Sequence, residues 1–165
     1  MKLVALFALL VCCSKAILAG ELALDSPAPD FTLASIEAQR TISLADYRGK
    51  VVYLDFWASW CVACRKSFPF LSALRQQYAA QGFEVIAINL DQDPAAAQRF
   101  LDNYPVDYPV ALGYNSKIAE DYHVTAMPMG FFVDSKGTLR LQHLGFSPKH
   151  QDFLTAVLEK LLAER

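Results

Sequence analysis

Cys61-Val62-Ala63-Cys64 is the stretch of this chain whose residue types and spacing suffice for chemistry. Two cysteines three positions apart on a helical turn bring their Cα atoms to about the 5.5 Å that an unstrained disulfide prefers. The unpaired N–H groups and the dipole at a helix N-terminus favour a negative sulfur, so Cys61 is expected to ionise more readily than a free thiol. A thiolate attacks a disulfide, and a second thiol nearby resolves the mixed disulfide that results. Cys61, at the exposed tip, is assigned as nucleophile; Cys64, a turn deeper, as the resolving thiol. The same spacing also serves as half of a zinc site, but that needs a second pair of ligands. His123, His143 and His150 are scattered without ligand spacing, so no metal is expected.

Asp55 precedes Cys61 by six residues, inside the apolar run Val51-Val52-Tyr53-Leu54-Asp55-Phe56-Trp57. A carboxylate there is costly to desolvate and its pKa is expected to rise. Such an acid can take the proton from Cys64 as that thiol attacks; a plain structural aspartate, paired with a lysine or a backbone amide, is the alternative. Trp60, beside the reactive thiol, is expected to shape a docking surface. Met127 and Met129 flank Pro128, and soft sulfur near two thiols suits copper(I). Apolar padding for a protein partner is the preferred reading of these methionines. Glu84, at a strand start, reads as a solvated or paired edge residue.

The elements that must position these groups follow from periodicity. Phe31-Thr32-Leu33 reads as a short strand with a hairpin partner near Thr41-Ile42. Ser43 to Asp46 reads as one capped turn, with Asp46 reaching back as in a capping box. Val51 to Trp57 is β-branched and aromatic, the pattern of a strand covered on both faces. Cys61 to about Gln81 has helical spacing, with Phe68, Leu71, Leu74 and Tyr78 on one face and Gly82 at its end. Phe83 to Asn89 is a second buried strand, and Asp93-Pro94 opens a helix towards Asn103. Pro109 to Leu112 reads as a strand, Ser116 to Tyr122 as a short helix, and Tyr104 to Tyr108 as a loop. Gly130–Asp134 and Thr138–Leu144 form a hairpin, and Ser147-Pro148 starts a last helix through Leu162. The order predicts an α/β fold with mixed strand directions.

Ahead of these elements, Lys2 precedes an apolar run from Leu3 to Cys13, followed by Ser14, Ala16, Ala19 and Gly20. One positive charge, a short apolar core and a small-residue exit are the marks of a secretory signal. A membrane span needs about 20 apolar residues, and Lys15 ends this run too early. Residues 1–19 are read as a signal peptide with cleavage between 16 and 20, leaving a domain at 20–165. A lipoprotein signal at Cys12 or Cys13 lacks the usual small residue before the cysteine, since Val11 and Cys12 stand there. Cleavage removes Cys12 and Cys13, and the remaining pair closes too small a loop to act as a structural staple.

With 165 residues, 54% apolar and 19% charged, the chain is neither disordered nor fibrous, and its net charge of −2 argues against nucleic acid as a partner. No phosphate-cradling loop and no hydrolase triad is visible, so no cofactor is expected.

The segment Asp55 to Cys64 resembles the active-site stretch of the thioredoxin superfamily, including the tryptophan before the first cysteine. Pro69 falls where those proteins kink the active-site helix. Met127-Pro128 resembles their cis-proline loop, whose backbone pairs with an extended substrate segment. Ala28 to Leu33 and Ser43 to Val52 resemble the N-terminal β extension of the exported TlpA/ResA/DsbE branch. Gln98 to Tyr122 resembles the helix and strand which that branch inserts. The resemblance implies a thioredoxin-like α/β fold and a thiol-disulfide oxidoreductase outside the cytoplasm, periplasmic and either free or membrane-anchored. It implies Cys61, Cys64 and Asp55 as catalytic residues, and Trp60, Met127 and Pro128 as the substrate-binding surface. It further implies protein disulfides or thiols as substrates, for instance in cytochrome c assembly, and a membrane thiol reductase as electron donor; a monomer is expected. The chain departs from the branch at Ser67, often glutamate there, and at Asp55, often asparagine. Val62-Ala63 carries no cation between the cysteines, which leans the reading towards a reductant. A copper(I) chaperone using Cys61, Cys64 and a methionine is the alternative from another class. Ala28-Pro29-Asp30-Phe31 also resembles the start of peroxiredoxin-like chains, but a thiol peroxidase is disfavoured because those chains carry threonine and proline ahead of the reactive cysteine, and Trp60 stands before Cys61 here.

Overall fold

The computed structural model describes residues 22–37 and 39–165; the segment read as a signal peptide, residues 1–19, lies outside them. Seven strands form a single mixed sheet: β1 Thr32–Ser35, β2 Thr41–Ser43, β3 Val51–Trp57, β4 Phe83–Asn89, β5 Val110–Leu112, β6 Met129–Val133 and β7 Leu139–Leu144. Their order is β2-β1-β5-β4-β3-β6-β7. Strands β3, β4 and β5 run parallel, and the others are antiparallel to their neighbours. The helices are α1 Cys64–Tyr78, α2 Pro94–Asn103, α3 Ile118–Asp121 and α4 Gln151–Ala163.

Every residue of β3 and of β4 is buried, because helices or chain segments cover both faces of the sheet. Alternation sends Val51, Tyr53 and Trp57 into one core, where they meet Phe68, Leu71, Leu74 and Tyr78 of α1, Ala97 and Phe100 of α2, and Leu154, Leu158 and Leu161 of α4. Val52, Leu54 and Phe56 enter the opposite core with Phe31, Leu33, Ile42, Leu44, Ile118 of α3 and Tyr122 just after it. Each large apolar side chain so buried contributes about 1.5–3 kcal/mol. The N-terminal extension therefore supplies Ala28, Phe31, Leu33, Ile42 and Leu44 to this second core. It joins the sheet through the inserted strand, with Ala34 opposite Leu112 and Ser35 opposite Ala111.

Several local expectations need correction. The active-site helix starts at Cys64 and not at Cys61, since the Cys64 N–H still bonds the Cys61 carbonyl, a turn and not yet a helix. Ser43 caps nothing through its side chain; Leu44–Tyr47 is one 3₁₀ turn, anchored by the Leu44 N–H on the Phe31 carbonyl. Ser147 likewise makes no cap bond, and a 3₁₀ turn at Pro148–His150 precedes α4. Asp93 does cap α2, accepting from the Ala95 N–H at 2.9 Å, with Pro94 in the first turn. Gly82 follows a further 3₁₀ turn, Ala79–Gln81, and takes the left-handed φ of +84°. Glu84 sits on an interior strand, buried, with Arg75 Nε 2.5 Å from its Oε1. It is paired, but it is no edge residue.

Candidate active site

Three chain segments meet at the C-terminal end of β3: the turn Ala58–Ala63, the first turn of α1, and the loop before β6. Cys61 and Cys64 are joined by a disulfide, with Cα atoms 5.3 Å apart. The Cys61 N–H bonds the Ala58 carbonyl, which folds the turn back, and Cys61 joins the core cluster of α1. Cys61 is thus only 5% exposed, against the exposed tip expected for it, while Trp60 and Val62 are 67% and 65% exposed. Cys64 is fully buried. The Cys64 N–H also points at the Cys61 sulfur, 3.2 Å away, which places a backbone donor where a thiolate would need one.

Asp55 lies on β3 between Tyr53 and Trp57 and so faces the core that holds both cysteines. It is 1% exposed, its Oδ2 finds no hydrogen-bond partner, and burial pushes its pKa up to about 8. Burial, and then the nearby Asp55 charge, raise the Tyr53 and Tyr108 hydroxyls well above their ordinary values. Neither a lysine nor a backbone amide satisfies that oxygen, so the plain structural reading of Asp55 loses its partner.

Met127-Pro128 is a cis peptide bond. The Pro128 carbonyl accepts from the Gly145 N–H at 2.8 Å, and Met127 packs against the core that contains the thiols. Met129 points into the opposite core, so the two methionines that flank Pro128 in sequence do not face the thiols together.

The sequence reading missed a polar clamp under the active-site turn. Asp91 accepts from the Ser59 N–H at 2.8 Å and from the Ser59 hydroxyl at 2.9 Å. Asn89 donates to the same carboxylate at 2.7 Å and accepts from the Asp91 N–H at 3.1 Å. The loop after β4 thereby grips the turn two residues ahead of Cys61. The reading also missed Gly130, opposite Asp55 on β6, where an added Cβ would fall on the Tyr53 hydroxyl. His143 and His150, scattered in sequence, bring their rings to 4.6 Å.

Residues 23–158 match the Redoxin family model. The chain belongs to the Redoxin family. This Redoxin domain is 34% identical over 134 residues to the thiol-disulfide oxidoreductase ResA of Bacillus thuringiensis (strain Al Hakam), covering 81% of this chain and 76% of that one. A crystal structure from Chlorobium tepidum, assigned as a thiol:disulfide interchange protein DsbE, aligns with a TM-score of 0.83 and 39% identity, over 86% of this chain and 99% of that one. The thioredoxin domain of a thiol-disulfide oxidoreductase from Bacteroides vulgatus aligns with a TM-score of 0.76 and 25% identity, over 86% and 99%. The fold is thioredoxin-like, and the protein is a thiol-disulfide oxidoreductase of the ResA/DsbE type bearing a Cys61–Cys64 pair.

Proposed function

We propose that this oxidoreductase reduces disulfides in partner proteins outside the cytoplasm, working as a monomer after its leader at residues 1–19 is removed or retained as an anchor. The reduced Cys61 thiolate attacks one sulfur of the partner's disulfide, and the partner's other sulfur leaves and takes up a proton. Cys64 then gives its proton to Asp55 and attacks Cys61, which frees the partner's second thiol. Two electrons pass to the partner, and the protein is left in the disulfide form. A membrane thiol reductase is the donor that returns them. Trp60, Met127 and Pro128 form the surface on which the partner's extended segment lies.

The observation that carries this reading is the Cys64 N–H directed at the Cys61 sulfur, at the start of α1 and between two exposed apolar side chains. The copper(I) alternative keeps both cysteines and Met127 but loses Met129 to the opposite core. Trapping in a secretory extract tests the roles: Cys64→Ala is expected to hold partners as mixed disulfides on Cys61, and Cys61→Ala is expected to hold none. The reverse pattern would exchange the two roles. Tight copper(I) uptake without any insulin reduction would favour the chaperone.

A further inference from the structure

The first turn of α1 has an unusual charge. Arg65 and Lys66 follow Cys64 directly, both are exposed, and no acidic residue accompanies them. A helix N-terminus disfavours cations, so neither helix stability nor the chain's overall charge of −2 accounts for them. Among the described residues neither makes an ion pair within 4.0 Å. Arg65 lines an open cleft of about 420 Å³ between α1 and α2, together with Ser59, Arg99, Asn103 and Tyr104. Among the described residues Arg99 pairs with Asp93 alone, at 3.5 Å, with both side chains mostly exposed. The buried carboxylate beneath this cleft, Asp91, is already engaged by Ser59 and Asn89. The cleft is lined by Ser59 of the active-site turn and by Arg65 of the first turn of α1, the residues that bracket Trp60 to Cys64 in the chain.

We infer that this cationic cleft receives acidic residues flanking the target cysteine, so that the preferred substrates are protein segments whose disulfide lies next to Asp or Glu. The inference rests on the exchange reaction proposed above and names its substrate class. An extended segment that crosses Trp60 and the Met127-Pro128 loop would bring its neighbouring side chains to Arg65, which is unpaired among the described residues, and to Arg99, whose exposed pair with Asp93 is weak enough to exchange for a carboxylate of the partner. Attraction between opposite charges across an interface acts chiefly on the rate of encounter and on the choice of partner.

Three peptides test it. They share one internal disulfide and differ only in carrying Glu, Gln or Lys on each side of it. Reduced protein is mixed with each, and the second-order rate of reduction is read: Cys61 and Cys64 lose two electrons, and the peptide disulfide gains them with two protons. At low salt the Glu peptide is expected to react about 3- to 10-fold faster than the Gln peptide, and the Lys peptide slower than both. The spread is expected to collapse in 1 M salt, where the screening length is about 3 Å. Arg65→Glu combined with Arg99→Glu is expected to reverse the order, each rate being normalised to that variant's own Gln peptide. Equal rates for the three peptides, or an order that survives the reversal, would overturn the inference. Failure to reduce even the Gln peptide would remove the exchange reaction itself, and the inference with it.

Discussion

At Asp55 one buried carboxylate ties stability to pH and, in the proposed reaction, takes the proton of Cys64. Its pKa in the folded protein is about 8, whereas an unfolded aspartate titrates near about 3.9. Between those values the folded state holds a proton that the unfolded state has released, so stability falls as pH rises from about 4 to about 8. Each pH unit in that window removes about 1.4 kcal/mol, with about 6 kcal/mol as the ceiling. The oxidised Asp55→Asn variant is therefore expected to melt above the wild type at pH 8, with the gap closing towards pH 4; equal melting curves at pH 8 would contradict the burial argument. The same residue makes a kinetic forecast. Asp55 can accept a proton from Cys64 only when ionised, so the rate of partner release is expected to rise through about pH 8. In Asp55→Asn that rise should disappear and the rate should fall about 100-fold, as read by single-turnover decay of a mixed disulfide on Cys61. An inflection that persists in the variant would assign the proton to another group.

Among the elements, the turn before α1 is the one whose position the chemistry most depends on, and Asp91 holds it. Asp91→Ala would leave the Ser59 N–H, the Ser59 hydroxyl and the Asn89 amide without their acceptor, at a cost of about 2–4 kcal/mol. Thermal denaturation is expected to show a drop of several degrees, with Ser59→Ala costing less because its backbone N–H keeps the bond. Strand β6 carries a matching constraint: Gly130→Ala would drive a methyl group into the Tyr53 hydroxyl, a backbone-to-ring conflict expected to cost about 1–3 kcal/mol. Neither constraint was legible in the sequence. Ser59 and Asp91 stand 32 positions apart, and only the parallel pairing of β3 with β4 aligns the loops that follow them. The strands were legible because covered strands are apolar throughout, and Asp93-Pro94 was legible because its cap is local. Ser43 and Ser147 carry the same local signal but precede 3₁₀ turns, where no side-chain cap bond forms. Cys61 looked exposed from its place at the start of a helix, yet it is buried in the core cluster while its neighbours Trp60 and Val62 stay exposed.

On the scale of the whole molecule, a sheet with a core on each face holds the cysteine turn against the Met127-Pro128 loop. The thiol face is built by α1, α2 and α4, while the other face is closed by α3 and the N-terminal extension. That extension was legible in sequence as a resemblance, and Phe31, Leu33, Ile42 and Leu44 make it part of the second core. Phe31→Ala is expected to cost about 3–5 kcal/mol in denaturant unfolding; a loss below about 1 kcal/mol would show the second core to be dispensable. The central claim is that this scaffold keeps the sulfur of residue 61 as the reactive anion, with residue 64 sealed behind it. The most direct measurement is the rate of iodoacetamide alkylation of each thiol in the reduced protein from pH 5 to pH 9, read by mass spectrometry of the separate cysteines. Cys61 is expected to titrate below the free-thiol value of about 8.5 and to react at least tenfold faster than Cys64 at pH 7. A Cys61 that titrates at or above that value, or that reacts no faster than Cys64, would contradict it.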